Sequence, residues 1–117
     1  MLTLNDTDKK WVEETLNKAK KKVAFSSRQM GVSLPYTTVD GVYDNYYPEK
    51  KGWWTNGFYA GILWKMYNET KDEFYLETAR GIQDLLDESL LEYFNLHHDV
   101  GFMWLLSSVA DYRITGD

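Results

Sequence analysis

The sequence contains no cysteine, and this absence excludes disulfide bonds and thiolate metal sites. Long hydrophobic runs are also missing, because no stretch reaches about 18 uninterrupted apolar residues and the N-terminus lacks an apolar signal core. Nothing in the sequence therefore indicates export or membrane spanning. We expect a cytoplasmic protein with no membrane partner.

Basic residues are in the minority. Lysine and arginine number 13 against 18 aspartates and glutamates, which gives a net charge of −5 and an isoelectric point near 5.0. This balance argues against nucleic acid or an anionic membrane as the main partner, but it leaves open a small anionic substrate, which responds to local charge only. With 117 residues, 44% of them hydrophobic, the chain is one globular domain or part of one.

Hydrophobic periodicity predicts four helices. The first covers about residues 8–25, and the second runs from Thr55 or Asn56 to Thr70 and is apolar on nearly every side, which is typical of a helix buried all round. The third begins after Asp72, a natural N-cap. The fourth begins at or just after Asp99 and ends at "TGD". Spacing predicts one apolar face for the first helix and one for the third: Val12, Leu16, Ala19 and Val23, and Phe74 or Tyr75, Ala79, Ile82 and Leu86.

A long irregular segment at 26–53 separates the first two helices. It holds both prolines, Pro35 and Pro48, and the aromatic stretch "YDNYYPEKKGWW". Loops of this length are uncommon in compact domains and are often functional. We therefore treat this segment as a candidate part of a site.

An internal repeat relates "GFYAGILWKMYNETKD" to "GFMWLLSSVADYRITGD". Both copies open with Gly-Phe, stay apolar and close with Tyr-x-x-Thr-x-Asp, and their closing aspartates, Asp72 and Asp117, are 45 residues apart. This design predicts stacked helical hairpins, with buried helices inside and amphipathic ones outside. The second copy has no amphipathic partner, so we expect a chain that continues in a longer protein or self-associates through the uncovered inner-helix surface.

Three titratable residues, His97, His98 and Asp99, stand in a row within "NLHHDVGFMW". Adjacent side chains point in different directions, whereas helical metal ligands are spaced three or four apart, so we expect no metal site. Asp99 as a plain helix N-cap and His98 as an ordinary, partly buried histidine both remain open. The third interpretation is one wall of a pocket.

The repeat brings two segments to the same mouth of the helical array, because "GWWTNGF" and "HHDVGF" both directly precede inner helices. Tryptophan faces stack on sugar rings, and asparagine and histidine can bond hydroxyl groups. Glycoside chemistry usually needs two carboxylates. The competing interpretation makes Trp53 and Trp54 core residues, but two adjacent tryptophans cannot easily both face inward.

The stretches "GWWTNGFYAGILWKMYNETKDEFYLETAR" and "LHHDVGFMWLLSSVADYRITGD" resemble glycoside hydrolase family 88, the unsaturated glucuronyl hydrolases. The resemblance runs from about Trp11 to the last residue, so residues 1–117 would be the N-terminal part of a single domain. It implies an all-α fold of helical hairpins forming part of an (α/α)6 barrel, with no cofactor. Family 105, the unsaturated rhamnogalacturonyl hydrolases, is the nearest confusable family.

The resemblance also implies a substrate and a mechanism. The substrate is a lyase-derived oligosaccharide that ends in a 4,5-unsaturated uronic acid. In the family, one aspartate delivers a proton to C4, water adds at C5, and the resulting hemiketal opens to release the neighbouring sugar. By motif, Asp99 is one of two essential aspartates, while Trp54, Asn56 and His98 bind the sugar.

The sequence departs from the family in one respect, because the proton-donating aspartate lies beyond the position where this chain stops. We therefore expect the 117-residue chain alone to be inactive or nearly so. A non-catalytic helical-repeat module that binds carbohydrate or protein is the alternative. The choice among chondroitin, hyaluronan, heparin and pectin fragments depends on residues outside this segment.

Overall fold

A computed structural model describes residues 3–93 and 95–117. The described part is mostly helical and carries one small antiparallel hairpin. None of the described helices is long and apolar enough to cross a membrane. The elements, in chain order, are α1 (Asp6–Met30), β1 (Thr38–Val39), β2 (Val42–Tyr43), α2 (Asn56–Thr70), α3 (Glu73–Leu91), α4 (Val100–Leu105) and α5 (Ser108–Thr115).

Helix α1 is longer than the periodicity predicts and takes five residues from the start of the predicted loop. Its N-cap is Asn5, whose side chain accepts a hydrogen bond from the Asp8 amide at 2.8 Å. The helix continues until Gly31, which has a φ of 55° and is the first residue that can leave the helix without steric cost. Its predicted apolar face is only partly covered, since Leu16 is 51% exposed.

The loop between α1 and α2 is irregular, as predicted, apart from the short hairpin of β1 and β2. The turn between these strands is formed by Asp40 and Gly41, both with positive φ. Side chains replace missing backbone partners in this loop: Asn45 Oδ1 accepts from the Leu34 amide at 2.9 Å, and Asp44 Oδ1 accepts from the Tyr36 amide at 2.7 Å. Leu34 is fully buried and fixes the loop to the core.

Helices α2 and α3 form the central antiparallel hairpin. Their junction is set by Lys71 in the left-handed conformation and by Asp72, whose carboxylate accepts from the Phe74 amide at 3.0 Å. This confirms the predicted N-cap. The predicted stripe of α3 is also confirmed, because the following residues are buried: Tyr75, Ala79, Ile82 and Leu86.

Helix α4 crosses α2 at Gly57, where the two backbones come into direct contact. A Cβ placed on Gly57 would lie 2.5 Å from the Phe102 carbonyl oxygen and 2.7 Å from Met103 Cα. Only glycine fits this close approach. Since Gly57 follows the end of the aromatic loop and α4 begins just after Asp99, this crossing brings the two predicted motifs together.

The predicted fourth helix is interrupted, so one prediction was wrong. It consists of α4 and α5, with a break at Leu106 and Ser107. Ser107 is fully buried and its hydroxyl donates to the Met103 carbonyl at 2.5 Å. A serine hydroxyl that bonds the preceding turn competes with the regular helical hydrogen bonds and bends helices.

Helix α5 is attached to α3 by a partly buried ionic contact. Arg80 donates two hydrogen bonds to the Asp111 carboxylate, at 2.9 and 3.0 Å, and Gln83 donates a third at 3.1 Å. The Gln83 carbonyl in turn accepts from the Trp64 indole at 2.8 Å, so the network joins three helices. Burial alone raises the pKa of Asp111, but these donors and the Arg80 charge outweigh it and hold the pKa below its usual range.

Candidate functional site

The aromatic loop and the segment before α4 enclose an open cleft of about 410 Å³. This volume falls in the usual range for small-molecule sites. The sequence predicts this meeting of the two motifs, and the structure confirms it. The cleft is lined by Lys50, Gly52, Trp53, Trp54, Asn95, His97, His98 and Asp99.

Asp99 lies at the N-cap position of α4, but its side chain makes no capping hydrogen bond. The plain-cap interpretation is therefore wrong at the level of the side chain. The carboxylate is 34% exposed, and its Oδ2 lies 3.4 Å from His98 Nε2. A half-buried carboxylate beside an imidazole can contact a ligand in the cleft and exchange hydrogen bonds with it.

His98 is almost fully exposed, with 91% of its side chain open to solvent. The interpretation as an ordinary, partly buried histidine is wrong. The ring lies beside the cleft, with Nε2 3.4 Å from Asp99 Oδ2 and its centroid 6.2 Å from that of the His97 ring. A polar ring in this position can reach a ligand without first breaking contacts with the core.

Trp54 forms an exposed aromatic wall of the cleft. It is 38% exposed and packs edge-on against Phe58 and Phe102, each at a centroid distance of 5.9 Å. Trp53 is 39% exposed and contacts a separate cluster through Tyr46 at 6.2 Å. Neither tryptophan is a core residue, so the competing interpretation is wrong. Both rings are fixed by aromatic neighbours and present a surface to solvent, which suits stacking on a flat apolar ligand face.

Asn56 does not line the cleft, which corrects its prediction as a sugar-binding residue. It is 1% exposed, and its Nδ2 donates to the carbonyls of Lys50 and Lys51, both at 2.9 Å. Because these two carbonyls belong to the turn that leads into the tryptophans, Asn56 supports the wall from behind. The motif places Asn56 next to the tryptophans, but its side chain faces the preceding turn and not the cleft.

Lys51 anchors the same turn to α3. Its side chain is 10% exposed, and its Nζ lies 2.6 Å from Glu92 Oε2 and 3.4 Å from Glu88 Oε2. Lys50 points the other way, lines the cleft and places its ammonium 4.4 Å from the Tyr46 ring centroid. The two lysines of "EKKGWW" thus have different functions, and because both lie in a turn, hydrophobic periodicity does not distinguish them.

A larger cleft of about 570 Å³ lies between α1 and α2. Its walls are mainly apolar, with Leu16 and Ile62 among them, and its one carboxylate, Glu69, is paired with Lys20 at 3.1 Å. The groups capable of acid, base or hydroxyl chemistry are concentrated instead in the Asp99 cleft. We therefore take the smaller cleft as the candidate site.

No family model matches the chain. It is 33% identical over 96 residues to an unsaturated chondroitin disaccharide hydrolase of Streptococcus pneumoniae, covering 77% of this chain and 24% of the relative. It is 30% identical over 115 residues to an unsaturated chondroitin disaccharide hydrolase of Streptococcus agalactiae, covering 91% of this chain and 26% of the relative. An unsaturated glucuronyl hydrolase of a Bacillus species is 43% identical over 65 residues, covering 55% and 17%.

The chain is also similar to a solved structure of an unsaturated glucuronyl hydrolase. That structure is an aspartate-to-asparagine variant of an unsaturated glucuronyl hydrolase with dGlcA-Glc-Rha-Glc, at a TM-score of 0.78 and 30% identity, and the match covers 90% of this chain and 28% of that one. The match confirms the predicted fold class of helical hairpins that form part of an (α/α)6 barrel. The chain spans about a quarter of the length of the first two curated relatives.

Proposed function

Because this chain belongs to the unsaturated glucuronyl hydrolase family, we propose that its Asp99 cleft holds the unsaturated uronic acid at the non-reducing end of an oligosaccharide. The observation that carries this proposal is the placement of an exposed tryptophan face, Trp54, in the same cleft as His98 and Asp99. Sugars offer apolar C–H faces and polar hydroxyl edges, and this cleft supplies a partner for each.

The double bond gives a reason for selectivity. Two sp2 carbons, C4 and C5, flatten that side of the ring, so more of its face can contact the Trp54 indole than in a saturated chair. His98 and Asp99 lie 3.4 Å apart and can bond adjacent hydroxyl groups as donor and acceptor. Asn56 contributes by fixing the turn before the tryptophans, not by touching the sugar.

For the whole protein we propose hydration of the C4=C5 bond. A carboxylic acid gives its proton to C4, a water oxygen bonds to C5 and loses a proton, and the resulting hemiketal opens with release of the adjacent sugar. Asp99 is the second carboxylate, and its negative charge raises the pKa of the proton donor and keeps it protonated near neutral pH. The donor itself is not among residues 1–117 by the family motif.

We assign the protein to glycoside hydrolase family 88 in preference to family 105. The three curated relatives named above act, by their names, on glucuronyl or chondroitin disaccharide substrates, which supports this assignment. The cytoplasmic location stays a prediction from the sequence.

The test is a binding titration of this chain with an unsaturated chondroitin disaccharide and with its saturated counterpart, followed by tryptophan fluorescence. We expect the unsaturated sugar to bind about tenfold more tightly, equivalent to 1.4 kcal/mol. Trp54→Ala should abolish this preference, whereas the control Trp11→Ala, at an exposed site on α1, should retain it. Equal binding of both sugars, or no binding of either, would contradict the proposal.

A further inference from the structure

We infer that His97 is a positioning residue that joins the two walls of the cleft through a single imidazole tautomer. His97 belongs to the "HHDVGF" motif, which indicates no separate role for it. In the structure its ring lies between the turn that leads into the tryptophans and Asp99, the N-cap residue of α4. Each ring nitrogen contacts a different wall.

The two contacts have opposite hydrogen-bonding requirements. His97 Nε2 lies 2.9 Å from the Gly52 carbonyl oxygen, which can only accept, so Nε2 must carry a proton. His97 Nδ1 lies 3.2 Å from the Asp99 amide nitrogen, which can only donate, so Nδ1 must be unprotonated. Only the neutral Nε2–H tautomer satisfies both contacts.

The Gly52 contact completes the support of the tryptophan-bearing turn. Three consecutive carbonyls in this turn accept hydrogen bonds from side chains: those of Lys50 and Lys51 from Asn56, and that of Gly52 from His97. Trp54 follows two residues after Gly52. The His97 ring therefore connects the position of the stacking wall to the rest of the site.

The Asp99 contact fixes the other wall. The amide bonded to His97 belongs to the residue that carries the candidate catalytic carboxylate, and that carboxylate remains separate from the ring, with Oδ2 4.0 Å from Nδ1. One rigid imidazole thus sets the separation between the Asp99 backbone and the turn that carries Trp54. This inference rests on the proposed function only where it concerns sugar binding, because the tautomer is a property of the free chain.

The direct test is long-range 1H–15N NMR of the imidazole nitrogens in the full chain. The spectra are recorded at about pH 8.5, which is well above the ordinary pKa of histidine. We expect His97 to show the pure Nε2–H pattern. His98, with 91% of its side chain exposed, should show the averaged pattern of two exchanging tautomers and serves as the internal control. An averaged or Nδ1–H pattern at His97 would overturn the inference.

Two variants separate the contacts. His97→Gln keeps a donor that can reach the Gly52 carbonyl and loses the acceptor for the Asp99 amide, whereas His97→Asn keeps a short acceptor for that amide and loses the donor. We expect each to weaken binding of the unsaturated disaccharide about tenfold, with circular dichroism unchanged. Unchanged affinity in both variants would overturn the positioning role. If the wild-type chain binds no sugar but His97 shows the fixed tautomer, the proposed function fails and the inference stands.

Discussion

Gly57→Ala is the substitution that most directly tests how the two walls of the site are held together. The added Cβ would lie 2.5 Å from the Phe102 carbonyl oxygen and 2.7 Å from Met103 Cα. Carbon atoms pack best at about 3.5–4.0 Å, so the backbones of α2 and α4 must separate by on the order of 1 Å. Backbone atoms cannot rotate away as a side chain can, so we place the overpacking cost near the upper end of the usual range, about 3 kcal/mol.

The helix propensity of alanine offsets part of this cost. Replacing glycine by alanine inside a helix stabilises it by about 1 kcal/mol, which leaves a net loss of about 2 kcal/mol. The assay is urea denaturation followed by tryptophan fluorescence. Gly101→Ala is the matched control, because Gly101 lies in α4 and a Cβ there meets nothing within 4 Å. It should be neutral or slightly stabilising. Equal midpoints for Gly57→Ala and Gly101→Ala would refute the close-approach argument.

Three further predictions concern other contacts. Asn56→Ala removes two hydrogen bonds to the turn and should cost about 2 kcal/mol of unfolding free energy. The control Asn68→Ala, at an exposed position on the same helix, should leave the unfolding free energy unchanged. Equal effects of the two substitutions would contradict the supporting role of Asn56. Asp111→Asn should cost about 2 kcal/mol near neutral pH. Because the folded pKa of Asp111 is lowered, this difference should shrink below about pH 4, the ordinary aspartate pKa, and a pH-independent difference in urea midpoint would contradict the assignment. The exposed apolar side chains of α2 and α4 should cause concentration-dependent self-association, measured by sedimentation equilibrium. Ile62→Gln should reduce this self-association. A monomer at all protein concentrations would contradict the prediction.

The central hairpin could be predicted from sequence because its signals are local. Asp72 caps α3 with its own side chain, and the apolar spacing from Tyr75 to Leu86 directly reports the buried face. The repeat was equally informative, since it predicts that Trp54 and Asp99 lie at the same mouth of the helical array. Short-range geometry and internal symmetry were sufficient for these features.

The features that sequence reasoning missed depend on tertiary neighbours. Ser107 interrupts the fourth helix because it is buried and bonds the Met103 carbonyl, and neither fact follows from its place in an apolar run. Asn56 turns inward because two carbonyls of the preceding turn lie within its reach. The role of His97 depends on the Gly52 carbonyl oxygen, which lies 2.9 Å from His97 Nε2 although the two residues are 45 positions apart in the sequence.

The central claim is that the unsaturated uronic acid lies against Trp54 beside His98 and Asp99. It is tested most directly by intermolecular NOEs between the vinyl proton at C4 of an unsaturated disaccharide and the side chains of the isotopically labelled chain. We expect contacts to the Trp54 indole and the His98 ring, and their loss in Trp54→Ala. Contacts to Leu16 or Ile62 in the cleft between α1 and α2, or no contacts at saturating sugar, would contradict the account.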